Sequence, residues 1–564
     1  MELPPEQFAP PFEADSYSER DQWHLAPFFT NLDQSVYVPL ILSPELIGAL
    51  CSRTSRAAQD LRHIYLHEFV YPFVQPVREE KDTDEIWNEK IRYGDALGEF
   101  IQFLHRHSVQ DLFSNPRARS FYTKWLAQYG DDSIAQMAGS HLVYWGISQV
   151  AIKHLEDQRI GLAPIEKSTR YVNYAQKVNG QYLYYVDPTL KDMGLEEEYR
   201  KTLDHLFETY AALLPHLSAW LTGRFPEEKP AVVEKKAFDT LRGLLPTATL
   251  SQVSFFGNGQ AFEYMISRSA KHPLGEIRWT AQRAYEELNK VTPSFLRRLE
   301  KEVTHEYQEY LAKRGERVYP LVKEFIGARP FSTTGETEVH LVDYDPEGEE
   351  KVITAILFAA PQNHASWTGI LERVHTMDTE EKRQVLAQYL AGRTARWQRV
   401  GRAFENAYAR FEIVMDIGAW RDLHRHRMLT QMRQDFSCAH GYAVPREIKD
   451  AGLAAEFQNA LDRVEELHLK IKRRDPYLAQ YAVALAHRIR FMQWQNLRSL
   501  FWEMELRTIP EGHPDYRHIE QQKFRWVEKA YPLIAEHILV NMAEYDFARR
   551  GQEEKIQKKI QQLF

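Results

Sequence analysis

Amphipathic helical periodicity is the feature that most restricts the fold of this 564-residue chain. Apolar residues recur three and four positions apart over several long stretches, and this spacing predicts helices. The clearest examples are residues 56–74, 139–157, 396–424 and 476–507. Strand patterns are fewer: residues 181–188 predict one strand, and residues 339–358 predict two strands around a turn at 345–348. This mixture predicts an α+β fold in which helices are in the majority.

Composition and charge narrow the class of protein. The formal net charge is -8 and the pI is near 6.3, whereas general nucleic-acid binders usually carry a basic excess. Cys51 and Cys438 are the only cysteines, so no disulfide framework is expected and a reducing cytoplasm fits best. No stretch of the sequence approaches the roughly 20 apolar residues of a membrane span. We therefore expect a cytoplasmic protein without nucleic-acid or membrane partners.

A basic knot at residues 421–442 contrasts with this acidic background. It contains four arginines and three histidines, namely Arg421, Arg425, Arg427, Arg433, His424, His426 and His440. The chain has no glycine-rich phosphate loop, so side chains would have to hold any phosphate group. Successive helical residues point about 100° apart, and arginines at a helix end can therefore fan out around a bound anion. The knot thus predicts an anion site.

Two other interpretations of the knot stay open. The arginines could instead pair with acidic residues on neighbouring helices. His424, His426, Cys438 and His440 could bind a metal ion, but two histidines separated by one residue point apart on a helix. No carboxylate spacing accompanies these histidines either. We therefore expect an anion site and no metal.

Arg425-His426-Arg427, preceded by FEIVMDIGAWRDLH, resembles the signature of the flavin-dependent thymidylate synthases. In that family the Arg-His-Arg triplet is followed, after seven residues, by Ser, any residue, Arg and Tyr. Here Asp435 occupies the serine position, and no arginine follows the nearby Ser437 in the required order. The resemblance implies that Arg425, His426 and Arg427 contact FAD and the phosphate of dUMP.

The missing part of the signature occurs in the first half of the chain, within residues 129–174. This segment ends in EKSTRY, where Ser168, Arg170 and Tyr171 follow the family's order. The Arg-His-Arg triplet is replaced there by Asp157-Gln158-Arg159. Each half therefore holds the part of the signature that the other half has lost.

The spacing of these segments indicates an internal duplication. Nine positions separate Ser148 from Asp157, and the same number separates Asp416 from Arg425. We therefore predict two tandem repeats of one domain, each helix-rich with a mixed or antiparallel sheet. Their predicted bounds are residues 1–328 and 335–564, with the boundary in the loop-like segment 327–338.

A later segment of the family, Asn-x-Arg before a helix, also occurs twice. The first half has Asn258-Gly259-Gln260 and the second has Asn496-Leu497-Arg498, so only the second keeps the arginine. The family's last dUMP-contacting arginine is expected near residues 524–527, where Arg525 is the candidate. The resemblance thus implies substrate binding by Ser168, Arg170, Arg425, Arg498 and Arg525. It also implies that Glu166 joins the Arg-His-Arg triplet in binding the cofactor.

The activity implied by the resemblance is the reductive methylation of dUMP to dTMP. Reduced FAD would supply the hydride, methylenetetrahydrofolate the carbon unit, and NADPH the reducing equivalents. The family needs no enzymatic nucleophile, and Cys438 has no evident His base, so we expect this thiol to be a small buried side chain.

The duplication also implies an assembly. The family is usually a homotetramer with sites between subunits, so a two-repeat chain would form a homodimer that resembles a pseudo-tetramer. Composite sites would join Arg-His-Arg of the second half with Ser-x-Arg of the first. The opposite combination, Asp157-Gln158 with Ser437-Cys438-Ala439, should be inactive.

Two alternative functions remain compatible with the sequence. One is a flavoenzyme that modifies a different pyrimidine nucleotide. The other is a non-catalytic paralogue that binds flavin or nucleotide without turning it over.

Overall fold

Two four-stranded antiparallel sheets organise the protein, whose computed structural model describes residues 3–107, 115–129, 132–158, 160–327 and 337–547. The strand order is β1-β2-β4-β3 in the first sheet and β5-β6-β8-β7 in the second. The strands are β1 (Val36–Tyr37), β2 (Gly139–Ser148), β3 (Leu162–Glu166), β4 (Leu250–Asn258), β5 (Glu338–Tyr344), β6 (Tyr408–Asp416), β7 (Thr430–Arg433) and β8 (Arg488–Asn496). The equal order in the two sheets confirms the predicted α+β class and fits a duplicated domain.

Helices make up most of the described residues. In the first half they are α1 (Glu19–Leu25), α2 (Pro44–Thr54), α3 (Leu61–Ile64), α4 (Tyr71–Val74), α5 (Asp84–Arg106), α6 (Pro116–Tyr129), α7 (Asp132–Gln136), α8 (Gln149–Glu156), α9 (Thr189–Asp192), α10 (Glu196–Arg224), α11 (Pro230–Leu241), α12 (Gly259–Ser269), α13 (Gly275–Val291), α14 (Pro293–Leu296) and α15 (Glu302–Leu321). In the second half they are α16 (Gly348–Phe358), α17 (Trp367–His375), α18 (Thr379–Tyr389), α19 (Ile417–His424), α20 (Arg446–Asp450), α21 (Ala454–Lys472), α22 (Leu497–Arg507), α23 (Pro514–Ala530) and α24 (Pro532–Ala535). Among the described residues, every helix is too short or too polar to cross a bilayer.

A shared junction links the two central strands of each sheet to the helices that follow them. The last residue of each strand caps the next helix with its side-chain oxygen, which accepts a hydrogen bond from the backbone N–H three positions on. The four caps are Ser148, Asn258, Asp416 and Asn496, with bonds of 3.0, 2.8, 2.7 and 2.9 Å. The strand therefore changes into a helix within one residue. The helix that follows each cap thus begins at a defined position, at the end of its central strand.

The helical predictions for three central segments are wrong in their first parts. Residues 139–148, 408–416 and 488–496 are strands, and the helices begin only after the caps. In β6 the burial of the side chains alternates along the strand, as expected for period 2. Apolar residues continue across Asp416 into α19, so strand and helix together imitate a single long helical pattern.

The strand predictions also need correction. Residues 181–188 form only isolated bridges, because their aromatic side chains pack instead on α10, with the rings of Tyr182 and Phe207 stacked at 5.0 Å. The first strand predicted within 339–358 is β5, but the second is helix α16. Val352 and Ile353 favour a strand by propensity, yet both are buried on one side of this helix, so packing overrides propensity.

The described residues cluster into two compact units, each of which takes a segment from the other half of the sequence. Unit 1 comprises the described parts of 1–212, 245–331 and 462–482; unit 2 comprises those of 213–244, 332–461 and 483–564. Within unit 1, the hydroxyl of Thr247 donates to the carbonyl of Gln480 at 2.6 Å. Within unit 2, the N–H of Ala486 donates to the carbonyl of Gly243 at 2.9 Å. The segments that precede β4 and β8 are thus exchanged between the halves. The boundary predicted within 327–338 stays a prediction, since residues 328–336 lie outside the described residues.

Candidate functional site

The basic knot begins where β6 ends and α19 follows. Asp416 caps the helix, all eight of whose residues are buried, and Arg425 follows as its C-terminal cap. Trp420 packs against His424 with ring centroids 4.6 Å apart and against Phe436 at 5.8 Å. This apolar packing fixes the helix, so the Arg-His-Arg triplet leaves its end at a defined position.

The three side chains of the triplet have different environments. The side chain of Arg425 is 45% exposed and pairs with Asp422 one turn earlier in α19. Arg427 is exposed, whereas His426 is buried between them. Both arginines are therefore exposed and the imidazole is buried, but the predicted helical fan does not form, because the helix ends at His424 and His426 and Arg427 follow it outside helical structure.

The buried imidazole of His426 is held by an arginine that the sequence analysis did not single out. Arg507, the last residue of α22, donates from Nε to Nε2 of His426 at 2.8 Å and from Nη2 to the carbonyl of Asp422 at 2.6 Å. Burial lowers the pKa of His426 to about 3; Glu503 opposes this shift, and the Arg507 guanidinium adds to it. His426 is therefore neutral near pH 7. Because Nε2 accepts a hydrogen bond, the imidazole carries its proton on Nδ1.

A buried ionic cluster lies on the same elements, between β8, α22 and α23. The Lys523 ammonium donates to Gln493, Glu503 and Glu520 at 3.0, 3.1 and 3.2 Å, and all four side chains are buried. Burial alone would raise the pKa of Glu503, but the charge of Lys523 outweighs it and lowers that pKa. Burial raises the pKa of Glu520, and the charge of Lys523 only partly opposes this rise. The cluster thus places one ammonium between two buried carboxyl groups beside His426.

Arg498 lies at the start of α22 in a group of arginines. Its Nη1 contacts Glu405 at 2.6 Å. The guanidinium of Arg399 lies 3.1 Å from the ring centroid of Trp502, and that of Arg396 lies 5.6 Å from it. Burial, and then the charges of Arg498 and Arg396, lower the pKa of Arg399. Three guanidinium groups, those of Arg396, Arg399 and Arg498, are thus close enough to act on one another, with Glu505 opposing their effect on Arg399.

The same group is joined to the knot by a direct contact. The hydroxyl of Ser499 donates to the carbonyl of Met428, one residue after the Arg-His-Arg triplet, at 2.9 Å. The start of α22 therefore lies beside the knot. This position is necessary if Arg498 and the Arg-His-Arg triplet are to bind the same ligand. Arg525 is exposed on α23, two residues after the buried Lys523, and its role stays a prediction.

The candidate residues of the first half lie in unit 1. Glu166 ends β3, and its carboxylate accepts from the buried Lys153 ammonium at 2.7 Å. Ser168 follows in a loop where its N–H donates to the carbonyl of Ser55 at 2.9 Å. Arg170 is 9% exposed in the same loop. The loop that carries Ser-x-Arg is therefore tied down locally, and its role in binding stays a prediction.

The position equivalent to the Arg-His-Arg triplet differs in unit 1. Asp157 is the C-terminal cap of α8, and the amide of Gln158 donates to the carbonyl of Ala261 at 2.9 Å. Arg159 lies outside the described residues. In unit 1 the end of the equivalent helix thus carries an acid and an amide where unit 2 has arginine and histidine.

Metal ligands and reactive cysteines are the other groups that could take part in chemistry in the described part of the chain. No group of three or more His, Cys, Asp or Glu side chains among the described residues is arranged to hold a metal ion. Cys51 is buried, and burial raises the pKa of its thiol to about 11. Cys438 is half-buried in the loop after β7. The candidate functional elements in the described part of unit 2 are therefore its arginines, His426 and the ionic cluster.

Fold and site together define an α+β protein with a duplicated strand–cap–helix junction and an arginine cluster suited to an anionic ligand. The profile of the family described as "Thymidylate synthase complementing protein" matches residues 89–294 and 340–533, which is more than half of the chain. The chain belongs to this family. The two matched segments correspond to the two halves inferred from the sequence and confirm the tandem duplication.

Several individual proteins are similar to the chain. A UPF0159 protein of Chlamydia pneumoniae is 35% identical over 539 residues, which cover 94% of this chain and 96% of that protein. A UPF0159 protein of Chlamydia muridarum is 34% identical over 550 residues, covering 96% and 98%. A flavin-dependent thymidylate synthase of Mycobacterium sp. (strain JLS) is 30% identical over 219 residues, covering 37% of this chain and 82% of that enzyme. The similarity to the UPF0159 proteins thus extends over almost the whole chain, whereas the similarity to the mycobacterial enzyme covers little more than a third of it.

Proposed function

We propose that the protein is a flavin-dependent thymidylate synthase that converts dUMP to dTMP with methylenetetrahydrofolate, NADPH and FAD. One observation carries the proposal: Arg425-His426-Arg427 leaves a capped, buried helix with both arginines outward and the histidine fixed and neutral. Membership of the family and similarity to a mycobacterial enzyme of this activity support it.

The residues of unit 2 fit a flavin dinucleotide and a nucleotide phosphate. Arg425 and Arg427 are accessible and can each give charge-assisted hydrogen bonds to phosphate oxygens. Arg498 adds a third guanidinium, and Arg399 and Arg396 lie nearby over the ring of Trp502. These residues would hold FAD and the dUMP phosphate.

The protein side of the chemistry is positioning and neutralisation of charge. FAD, when bound, supplies hydride transfer. Arg507 fixes the ring of His426 by donating to its Nε2, which places the proton of the neutral imidazole on Nδ1. A neutral histidine adds a hydrogen-bond donor without a further positive charge among the arginines. We further propose that Ser168 and Arg170 of the first half bind the substrate, that Glu166 contributes to cofactor binding, and that Arg525 contacts dUMP.

Binding measurements on purified variants test this assignment. Loss of a hydrogen bond to a charged group costs about 1.5–3 kcal/mol, or roughly tenfold to a hundredfold in affinity. Arg425→Ala and Arg427→Ala should therefore each weaken FAD or dUMP binding by that factor, as measured by flavin fluorescence and equilibrium dialysis with labelled dUMP. Arg373→Ala, which removes an exposed arginine outside the knot, is the matched control. Unchanged affinities for both ligands in both knot variants would exclude the knot as the anion site.

Activity distinguishes the proposal from its alternatives. A thymidylate synthase forms dTMP from dUMP and supports growth of a thymidine auxotroph. A flavoenzyme for another pyrimidine nucleotide would purify with flavin but fail both assays. A non-catalytic paralogue would bind ligand without forming any product.

A further inference from the structure

The two units contain equivalent positions, which allows a direct comparison of their interiors. The N–H of Leu250 donates to the carbonyl of Leu183 at 3.0 Å, and that of Arg488 donates to Gly441 at 2.9 Å. The N–H of Tyr185 donates to Ala248 at 2.9 Å, as that of Ala443 donates to Ala486 at 2.9 Å. Tyr185 of unit 1 is therefore equivalent to Ala443 of unit 2.

Two further equivalences follow from the lengths of the elements. Tyr481 stands seven positions before Arg488, the first residue of β8, and Gly243 stands seven positions before Leu250, the first residue of β4. Tyr481 and Gly243 are therefore equivalent. Helices α13 and α23 both contain 17 residues and end two positions before a proline that starts the next helix. Their second residues, Glu276 and Asp515, are therefore equivalent, as are the caps Ser148 and Asp416.

In unit 1 these positions are filled. The rings of Tyr185 and Tyr481 lie 4.9 Å apart, and both side chains are fully buried. Glu276 accepts from the N–H of Ser148 at 2.8 Å, from its hydroxyl at 2.6 Å and from the hydroxyl of Tyr481 at 2.8 Å. Two phenol rings and three hydrogen bonds thus close this region of unit 1.

In unit 2 the equivalent region is a cavity of about 540 Å³. Gly243 and Ala443, which stand where unit 1 has tyrosines, both line it. The volume lies within the range of roughly 300–1,000 Å³ that is usual for small-molecule pockets. The loss of two aromatic side chains therefore leaves an opening that can accept a ring.

The cavity wall combines apolar surface with seven carboxyl groups, against five basic side chains: Arg224, Lys236, Arg242, Arg446 and Arg517. Trp220, Phe225 and Met415 supply apolar surface. Three further lining residues are Asp239, Asp416 and Asp515. The ring of His513 lies between two of them, with Nε2 3.3 Å from Asp239 and Nδ1 3.5 Å from Asp515.

Three of the five basic side chains of the wall are paired with other acids: Arg242 with Asp239 at 2.9 Å, Lys236 with Glu447 at 2.5 Å and Arg446 with Asp450 at 3.4 Å. The charges of Arg242 and Arg488 lower the pKa of Asp416, but burial outweighs them and raises it. Desolvation, and then the charge of Asp416, raise the pKa of Asp515 to about 7. A cationic ligand would supply the missing positive charge and hydrogen-bond donors to these oxygens.

We propose that this cavity of unit 2 is a ligand pocket, separate from the Arg-His-Arg knot, for an organic cation with a flat apolar body and N–H donors. The flat body occupies the space of the absent phenol rings, and the N–H donors bind Asp416 and Asp515. The pocket lies at the N-terminal end of α19, whereas the knot lies at its C-terminal end. The proposal does not depend on flavin binding.

Isothermal titration calorimetry with the full-length protein tests the pocket. Benzamidine, a flat amidinium cation, is the probe; benzamide is the neutral control of equal shape, and benzoate is the anionic control. We expect benzamidine to bind at least about tenfold more tightly than benzamide, and benzoate not to bind. Equal binding of benzamidine and benzamide, preference for benzoate, or no binding of any probe would overturn the proposal.

Two variants locate the binding. Ala443→Tyr restores the side chain of the equivalent position in unit 1 and should reduce benzamidine affinity at least about tenfold. Asp416→Asn combined with Asp515→Asn keeps the helix cap but removes both charges, and should abolish the preference for benzamidine over benzamide. Glu456→Gln, an exposed carboxylate on α21, should bind as the wild type does.

Folding is checked by circular dichroism. If Ala443→Tyr does not fold, the double asparagine variant decides, because its changes are nearly equal in size to the native side chains. A folded double variant that still prefers benzamidine would refute the assignment. FAD affinity measured on the same samples reports on the knot, so failure of one proposal is distinguishable from failure of the other.

Discussion

Lys523→Met should destabilise unit 2 strongly, because it removes the cation from a cluster that is buried beside His426. The Lys523 ammonium lies 3.1 Å from Glu503 and 3.2 Å from Glu520, and none of these side chains is exposed. Removal of one partner of a buried ion pair costs about 3–5 kcal/mol, since the other charge is left unpaired in a medium of low dielectric constant. We expect a loss of that size in the free energy of unfolding, measured by urea denaturation.

A double-mutant cycle separates the ion pair from the loss of packing. Lys523→Met combined with Glu503→Gln replaces the pair by neutral groups of similar size and should recover most of the loss. The coupling energy of the two changes should therefore amount to several kcal/mol. A coupling energy below about 0.5 kcal/mol would refute the reasoning, because independent sites show values of that size.

The stability of the wild type and that of Lys523→Met should change with pH in opposite directions. In the wild type the pKa of Glu503 is lowered, so its contribution to stability is present above its ordinary pKa and lost as the pH falls below that value. In Lys523→Met burial is no longer opposed, so the folded-state pKa of Glu503 rises above its unfolded value. The variant should then lose stability as the pH rises from about 4.3, the ordinary pKa of glutamate. A variant whose deficit shrinks with rising pH would contradict this account.

Two further predictions concern the duplicated elements. Asn258→Ala removes the cap of α12 and should cost about 0.5–2 kcal/mol in thermal or urea unfolding, whereas Asn258→Asp keeps the acceptor and should cost less; equal losses would contradict the capping role. Asp157→Ala should leave FAD and dUMP affinity within about twofold of the wild type, since surface changes away from a site are worth less than roughly 0.5 kcal/mol. A larger loss of affinity would show that the first-half triplet position has a role of its own.

The sequence predicted the class of fold and the duplication, but not the main strands. The basic knot and the repeated spacing from Ser148 and Asp416 are local features of the sequence. They can therefore be recognised without knowledge of the tertiary packing. The sequence of β6 and β8 predicts helices, because apolar residues continue through the capping residues into α19 and α22. Recognition of Asp416 and Asn496 as caps would have placed the strand ends correctly.

Several parts of the site could not be predicted because they depend on contacts between distant residues. Arg507 holds His426 across 81 positions of sequence, and Lys523 reaches Gln493 across 30. The resemblance points to an arginine near residues 524–527, and it gives no signal for Arg507 at the end of α22, which contacts His426. The exchange of residues 213–244 and 462–482 between the units is a tertiary property with no periodic signal in the sequence.

The central claim is that catalysis needs residues from both halves of the chain, and the activity of purified Arg170→Ala tests it most directly. dTMP formation is measured at saturating dUMP and methylenetetrahydrofolate with NADPH, beside Arg425→Ala and the exposed control Arg314→Ala. Both site variants should lose activity at least about a hundredfold, as expected for an essential charge-assisted contact near 3 kcal/mol, and the control should retain it. Full activity in Arg170→Ala would contradict the account, because the first half would then contribute no essential arginine.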